Sequence, residues 1–266
     1  MDRSVSCRLD AELTGVADAV LSIAVASDAT LSAETLVATV GGSEVVVREI
    51  SGEHGARLHV IDGVGPGRLD VTYRASLVGQ APPPSVDELD LIRYTRPSRY
   101  CESDRLAPFA RAEFGALVGL ERVDEVARWV RERVLYITGS SRPTDGAVAT
   151  LLAGQGVCRD FAHLVVAMLR GCDMPARVAS VYAPGLQPMD FHAVAEVFVD
   201  DRWVAVDATG LAPRSSMVRI ATGRDAADIA FLTTTGDRVE MGWLDVVAVT
   251  DGPLPDDDAA DVVVLS

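Results

Sequence analysis

The chain has 266 residues, of which 48% are hydrophobic, so it is long enough to bury one large core or two ordinary ones. Its 24 Lys and Arg residues stand against 39 Asp and Glu residues, which gives a formal net charge of −15. Because nucleic acids and anionic membranes attract basic surfaces, this charge disfavours both as partners.

The cysteines and the start of the chain indicate the compartment. The first residues lack the apolar run of a signal peptide, and no stretch is long enough to cross a membrane. The 4 cysteines lie far apart and form no CxxC pair. We therefore expect a cytoplasmic protein with free thiols, no metal site and no cofactor.

Residues 1–80 are predicted to form a β-sandwich-like domain. Alternating apolar residues are separated by glycine-containing turns, as is typical of antiparallel strands. The candidate strands are 4–10, 17–26, 34–40, 44–50, 56–61 and 67–78. His54 and His59 have no cluster of acids or cysteines beside them in the sequence, so we interpret them as surface or hairpin histidines.

The remaining chain divides into three predicted parts. Residues 81–103 form a linker that contains Pro82-Pro83-Pro84 and an irregular second half with a strand-like run at 91–94. Residues 104–250 form the catalytic core, which begins with predicted helices at 104–119 and 121–137. Residues 251–266 form an acidic tail.

Residues 154–173 carry the candidate nucleophile. Gly154 and Gly156 lead into Cys158, and apolar residues then recur at helical spacing as far as Gly171. This pattern predicts a helix that begins at the cysteine. The first turn of a helix offers unpaired N–H groups and the positive end of the helix dipole, and both favour a thiolate.

Residues 190–209 are predicted to form two apolar strands joined by a tight turn at Asp200-Asp201. A two-residue turn there sets the pairs Val199–Arg202, Phe198–Trp203, Glu196–Ala205 and Val194–Asp207. His192 and Asp207 then share one face as diagonal neighbours, within reach of a side-chain hydrogen bond. A change of one residue in the turn would break this alignment.

Cysteine, histidine and aspartate in this order suit nucleophilic catalysis. Cys158 attacks a carbonyl carbon, His192 takes and returns the proton, and Asp207 orients the imidazole and stabilises its charged form. The backbone N–H of Cys158 is a natural oxyanion donor at a helix N-terminus. The sequence does not identify the second donor, for which Gln155 is a candidate.

Several blocks carry a resemblance to a known family. They read GVCRDFAH at 156–163, MPARV at 174–178, DFHA at 190–193 and WVAVDAT at 203–209, with flanking matches at 96–104 and 219–228. They resemble the bacterial transglutaminase-like superfamily, whose members have a papain-related core with a Cys-His-Asp triad. Val194 stands where the family usually has an aromatic residue, and Ala208 where it has a proline, which affects the shape of the cleft.

The resemblance implies an α+β fold and a reaction class. A helix bearing the cysteine would pack on an antiparallel sheet bearing the histidine and aspartate, after an N-terminal β-sandwich-like domain. The reaction would be cysteine-dependent acyl transfer on amide bonds of a peptide or protein, through a thioester. Water would make the protein a peptidase or amidase, an amine would make it a transglutaminase, and ammonia release from glutamine is a third outcome.

Other interpretations stay open at this point. The chain could be a catalytically silent transglutaminase-like fold that binds proteins or peptides. His163 is a rival base, but it lies about 140° around the helix from Cys158, so we interpret it as a core histidine. Cys172 is interpreted as buried packing. A metal site of Cys158, His163 and His192 is disfavoured because the helix separates two of its ligands.

Asp225 and Asp228 could also be read as part of a calcium site. Their ligand spacing is incomplete, so the sequence favours an exposed acidic loop.

Overall fold

The structure is a computed structural model that describes residues 1–258 and 261–265. It has an α+β fold, which confirms the predicted class. The helices are α1 (Glu88–Arg93), α2 (Ser103–Phe114), α3 (Gly119–Arg133), α4 (Ala147–Ala153) and α5 (Cys158–Gly171). None of the helices in this described part of the chain has the length and apolarity that crossing a bilayer requires.

Seven strands come from the N-terminal region. They are β1 (Arg3–Leu13), β2 (Ala17–Leu21), β3 (Leu31–Val40), β4 (Ser43–Glu44), β5 (Arg48–Ser51), β6 (Arg57–Val64) and β7 (Gly67–Leu77). In β1 every second residue is buried, as expected for a strand with one face on a core. These strands divide between two sheets whose buried residues share one hydrophobic core.

The later strands have two different locations. They are β8 (Leu135–Tyr136), β9 (Gln155–Gly156), β10 (Ala176–Tyr182), β11 (Phe191–Val199), β12 (Arg202–Val206), β13 (Val218–Gly223), β14 (Leu232–Gly236) and β15 (Val239–Thr250). One antiparallel sheet has the order β12-β11-β10-β13, and β8 and β9 form a separate parallel pair.

Strands β14 and β15 join the N-terminal sheets, although the sequence placed them in the core segment 104–250. The five-stranded sheet has the order β15-β1-β7-β3-β4, and the four-stranded sheet has the order β14-β2-β6-β5. β15 pairs with β1 from Arg3–Thr250 to Leu13–Val239. Alternating apolar residues identify a strand but not its partner, so sequence patterning could not assign this pairing.

Helix α1 replaces the irregular, strand-like run that the sequence predicted within the linker. The Asp87 side chain accepts a hydrogen bond from the Leu89 N–H at 2.9 Å and so caps the helix. Its apolar residues form too short a run for periodicity to separate a helix from a strand.

Helix α5 is the centre of the half of the fold that follows the N-terminal strands. All of its residues from Asp160 to Gly171 are buried, because the helix packs between β10–β11 and helices α2, α3 and α4. The two halves of the molecule are also tied together: the Tyr182 hydroxyl on β10 donates to the Ile23 carbonyl at 2.7 Å.

The predicted acidic tail lies against the sheet that carries β12. The Ala205 N–H donates to the Val263 carbonyl at 2.7 Å, and Arg214 pairs with Asp257 at 2.8 Å. Leu265 is buried. Ala259, Ala260 and Ser266 of this predicted tail lie outside the described residues.

Candidate active site

Cys158 is the first residue of α5, where the sequence predicted it. Its side chain is half-buried, so it is accessible from solvent, whereas Cys7, Cys101 and Cys172 are buried. Burial raises the pKa of the Cys7 and Cys101 thiols to about 12. Cys158 is therefore the thiol that is placed to meet a substrate.

The entry into α5 is fixed by Asp160. Its carboxylate accepts the Val157 N–H at 2.8 Å and the Ser141 hydroxyl at 2.9 Å, which ties the helix start to the preceding loop. At Gly156 a Cβ atom would lie 2.7 Å from the Cβ of Asp160. Glycine is needed there because Asp160 approaches the backbone so closely.

His192 lies near the start of β11, and Asp207 follows the last residue of β12. Asp200 and Asp201 have φ of 50° and 59°, as a two-residue primed hairpin turn requires. The pairs Val199–Arg202, Phe198–Trp203 and Glu196–Ala205 are present, and the ladder ends one pair before Val194–Asp207. The predicted register is thus confirmed along β12.

The His192 and Asp207 side chains are in contact. Nε2 of His192 lies 2.9 Å from Oδ2 of Asp207, and both side chains are almost completely buried. The other oxygen of Asp207, Oδ1, accepts the Thr209 N–H at 2.8 Å and the Thr209 hydroxyl at 2.7 Å. The carboxylate is therefore held at both oxygens, and Thr209 is a positioning residue that the sequence analysis did not identify.

Arg131 on α3 fixes the backbone on the other side of this carboxylate. It donates to the carbonyls of Asp207 and Ala208, each at 3.1 Å. These contacts anchor the end of β12 to α3. The position of the carboxylate thus depends on the helical layer as well as on the sheet.

Electrostatics favour a charged imidazole. Burial lowers the pKa of His192, but the charge and hydrogen bond of Asp207 outweigh it, and with a smaller contribution from Cys158 the pKa is raised to about 10. Burial alone would raise the pKa of Asp207, yet His192 and Thr209 hold it below its ordinary value. At neutral pH the pair is an imidazolium and a carboxylate.

The free nitrogen of His192 is the one available to the thiol. Nδ1 is buried and has no hydrogen-bond partner among residues 1–258 and 261–265. Because Nε2 contacts Asp207, the interaction by which Cys158 raises the pKa of His192 involves the Nδ1 side of the ring. The arrangement suits proton exchange between Nδ1 and the sulfur.

Tyr136 belongs to the site, although the sequence analysis did not identify it. Burial and, to a smaller extent, the interaction with Cys158 raise the pKa of its phenol to about 12. This interaction involves both the side chain and the backbone N–H of Cys158, so the hydroxyl lies close to the nucleophile. A two-residue strand gives almost no sequence signal, so its parallel pairing with β9 could not be predicted.

Gln155 is not brought towards the nucleophile. In the β8–β9 pair, Gln155 is in register with Leu135, and Tyr136 is in register with Gly156. Successive residues of a strand point to opposite faces, so Gln155 points away from the face on which Tyr136 meets Cys158. The second oxyanion donor predicted from the sequence is therefore misplaced.

His163 lies in the core, as the sequence predicted. Its Nε2 accepts the Ala226 N–H at 3.1 Å, and its ring stacks on Tyr100 with 5.5 Å between centroids. Burial lowers its pKa to about 3. These contacts separate it from Cys158 and His192, so the three do not form a metal site. The described residues contain no group of three or more His, Cys, Asp or Glu side chains that could hold a metal ion.

The predicted exposed acidic loop is corrected, because Asp225 is buried and accepts the Tyr100 N–H at 2.9 Å. His54 and His59 do lie in the β5–β6 hairpin, as one of the two sequence interpretations expected, but neither side chain is exposed. Each has an acid beside it: Nδ1 of His54 lies 3.5 Å from Oδ2 of Asp90, and Nε2 of His59 lies 3.2 Å from Oε2 of Glu49. Each of these partners is remote in sequence or hidden by the strand register.

Comparison with known proteins gives a family match for the region that carries the candidate residues. Residues 110–208, which include all three candidate catalytic residues, match the model of the transglutaminase-like superfamily. A crystal structure of a "putative cysteine protease" from Cytophaga hutchinsonii is similar over 98% of this chain and 96% of that chain, with 28% identity and a TM-score of 0.87.

Mycobacterial proteins are similar over a shorter region. An uncharacterized protein of Mycobacterium leprae is 28% identical over 115 residues, which are 39% of this chain and 40% of that protein. An uncharacterized protein of Mycobacterium tuberculosis is 33% identical over 125 residues, or 40% of each chain. The match thus spans less than half the length of these relatives.

Proposed function

This chain belongs to the transglutaminase-like superfamily through residues 110–208, and we propose that it is a cysteine-dependent hydrolase of amide bonds in peptides or proteins. The observation that supports this most strongly is the buried His192–Asp207 contact of 2.9 Å beside a cysteine at a helix N-terminus. The near full-length likeness to the Cytophaga hutchinsonii protein supports hydrolysis over the other outcomes of the same chemistry.

The first half of the proposed reaction forms a thioester. His192 already holds the proton as an imidazolium, and the Cys158 sulfur attacks the carbonyl carbon while the C=O π electrons move to oxygen. The Cys158 N–H, which has no partner within the helix, donates to the oxyanion. As the C–N bond breaks, His192 gives its proton to the leaving nitrogen, and Asp207 stabilises the imidazolium until this transfer.

The second half releases the acyl group. Neutral His192 takes a proton from water, the resulting hydroxide attacks the thioester carbon, and the C–S bond breaks to give a carboxylate product and Cys158. An amine in place of water would give a transferred acyl group instead. The chemistry up to the thioester is the same in both cases.

An activated ester tests the proposal without knowledge of the natural substrate. With 4-nitrophenyl acetate we expect a burst of nitrophenolate and an acetyl group that mass spectrometry locates on Cys158. Cys158→Ala and His192→Ala should lose both signals, and Cys172→Ala, which removes a remote thiol, should keep them. If Cys158 is acetylated no faster than the other three cysteines, the chain is better described as a silent binding module.

Adding an amine tests whether water or an amine takes the acyl group from the thioester. With butylamine added, the proposed hydrolase still yields mainly acetate. Predominant N-butylacetamide would instead identify an acyltransferase.

A further inference from the structure

Tyr136 is delivered to the nucleophile by the parallel pair of β8 and β9. The Leu135 N–H donates to the Gly154 carbonyl at 2.9 Å, and the Ile137 N–H donates to the Gly156 carbonyl at 3.0 Å. These bonds place Tyr136 directly opposite Gly156, two residues before Cys158. The backbone on either side of the tyrosine is thereby fixed to the segment that enters α5.

The tyrosine ring lies over the first turn of α5. It packs on Phe161 with 5.9 Å between ring centroids. Phe161 follows Cys158 by three residues, so the two lie on the same face of the helix. The ring is 42% exposed, which leaves it accessible to an incoming substrate.

The hydroxyl meets the same backbone donor that the reaction needs. Interactions with the Cys158 N–H, towards which the phenol oxygen is an acceptor, and with the Cys158 side chain contribute to the pKa of the phenol. Together with the position of Tyr136 opposite Gly156, they put the hydroxyl close to both groups. An oxygen at this position stands where the oxyanion of an attacked carbonyl would stand. A substrate carbonyl oxygen and the phenol oxygen therefore compete for one N–H group.

We propose, on the basis of the acyl-transfer reaction above, that the Tyr136 hydroxyl is the second oxyanion donor and that it covers Cys158 in the free enzyme. When a carbonyl enters, the phenol oxygen gives up the Cys158 N–H and turns its own O–H towards the same oxygen. As the C–S bond forms, the oxyanion accepts two hydrogen bonds, one from Cys158 and one from Tyr136. No proton leaves the phenol, and the negative charge returns to the C=O bond when the C–N bond breaks.

The chemistry of the phenol suits a donor that keeps its proton. Burial and the interactions with Cys158 and Asp190 raise its pKa to about 12, so the hydroxyl stays protonated at neutral pH. No other side chain that the sequence suggested fills this place, since Gln155 shares the opposite face with Leu135.

The variant Tyr136→Phe separates oxyanion binding from the reactivity of the thiol. It removes the hydroxyl and keeps the ring that packs on Phe161. Acetylation of Cys158 by 4-nitrophenyl acetate should slow on the order of 10²-fold, because the tetrahedral oxyanion loses one donor. Alkylation by iodoacetamide should keep the wild-type rate or rise, because displacement of iodide creates no oxyanion and the sulfur is uncovered. Leu135→Ala, on the opposite face of the same strand, should leave both rates unchanged.

Three results would contradict the proposal in different ways. Wild-type acetylation in Tyr136→Phe would show that the hydroxyl does not bind the oxyanion. Equal losses of acetylation and alkylation would show that Tyr136 holds the nucleophile in place instead. If wild-type Cys158 is neither acetylated nor alkylated, the underlying acyl-transfer reaction is refuted. This outcome differs from failure of the Tyr136 proposal because it is seen in the wild-type protein, before Tyr136 is substituted.

Discussion

Two histidine–aspartate pairs occur among residues 1–258 and 261–265, and the pKa values of their imidazoles shift in opposite directions. His192 lies 2.9 Å from Asp207 and its pKa is raised to about 10. His54 lies 3.5 Å from Asp90, between the N-terminal strands and α1, and its pKa is lowered. Burial opposes the charged imidazole in both places, so the partners decide the outcome.

The difference lies in distance and in the neighbouring charges. At His54, burial lowers the pKa most and the positive charge of Arg177 lowers it further, which the charges of Asp90, Glu53 and Glu196 do not offset. At His192 the nearest carboxylate is hydrogen-bonded to the ring, and Thr209 holds that carboxylate ionised. The surrounding charges, rather than the presence of an aspartate alone, therefore decide the direction of the histidine pKa shift.

Breaking the His192–Asp207 pair should have the largest effect. In Asp207→Asn, His192 loses the charge that opposes burial, so its pKa falls, and we expect kcat/KM for 4-nitrophenyl acetate to drop on the order of 10⁴-fold. Asp90→Asn, the same change in the other pair, should leave turnover at the wild-type rate. Turnover that is unaffected by Asp207→Asn, or lost equally in both variants, would contradict the contrast between the pairs.

Substitution of Glu196 tests how much the buried charges near His54 contribute to stability. It is fully buried and pairs with Arg177 at 2.9 Å and Arg219 at 2.8 Å. Glu196→Gln leaves these guanidinium groups without a counter-charge, so we expect a loss of about 3–5 kcal/mol in the free energy of unfolding, measured in urea. Glu125→Gln breaks an exposed pair with Arg128 and should change stability far less, because solvent screens the two charges. Equal losses would show that burial of the charges does not matter here.

Thr209 sharpens the comparison because its hydroxyl bonds directly to the carboxylate of Asp207, whereas the hydroxyl beside the other pair, that of Tyr94, contacts His54. Thr209→Val removes the hydroxyl bond to Asp207 and should cost about 1.5–3 kcal/mol of stability. The pKa of Asp207 should rise, so the acid limit of activity should move to higher pH, whereas Thr209→Ser should restore it. A loss of stability without a shift of the acid limit would mean that Thr209 has only a structural role.

The two histidines should affect stability in opposite pH windows. His54 binds its proton less well when folded, so stability is complete above its ordinary pKa of 6.5 and is lost as the pH falls below it. His192 binds its proton better when folded, so its contribution is complete below 6.5 and is lost as the pH rises towards 10.

Unfolding measured from pH 5 to 9 tests these signs. His54→Gln should reduce, but not abolish, the loss on the acid side of pH 6.5, because the pKa values of His59 and His163 are also lowered. His192→Gln should flatten the loss on the alkaline side. The ordinary pKa of the Cys7 thiol is 9.0 and is raised in the folded protein, so Cys7 should change the free energy of unfolding only above this pH range. The same dependence in both variants would contradict the assignment of charge states.

Local patterns predicted much of the site. The helix beginning at Cys158 and the Asp200-Asp201 hairpin depend on residues within a few positions of one another, so spacing alone gave the register that brings His192 near Asp207. The alternation in β1 and β7 likewise identified the N-terminal strands.

Contacts between distant segments could not be predicted in this way. Tyr136 reaches Cys158 through a two-residue parallel pair, and β15 reaches β1 across more than two hundred residues. The pairing of His54 with Asp90 requires helix α1, whose short sequence fits a strand equally well. In each case the individual segments carry no information on their partner, which is set by the packing of the whole fold.

The measurement that tests the central claim most directly is alkylation of the four cysteines by iodoacetamide at neutral pH, located by mass spectrometry, in wild type and His192→Ala. We predict that Cys158 reacts far faster than Cys7, Cys101 and Cys172, because it alone of the four is not buried and lies beside an imidazolium. Its rate should fall sharply in His192→Ala. A Cys158 that reacts at the same rate with and without His192 would contradict the account.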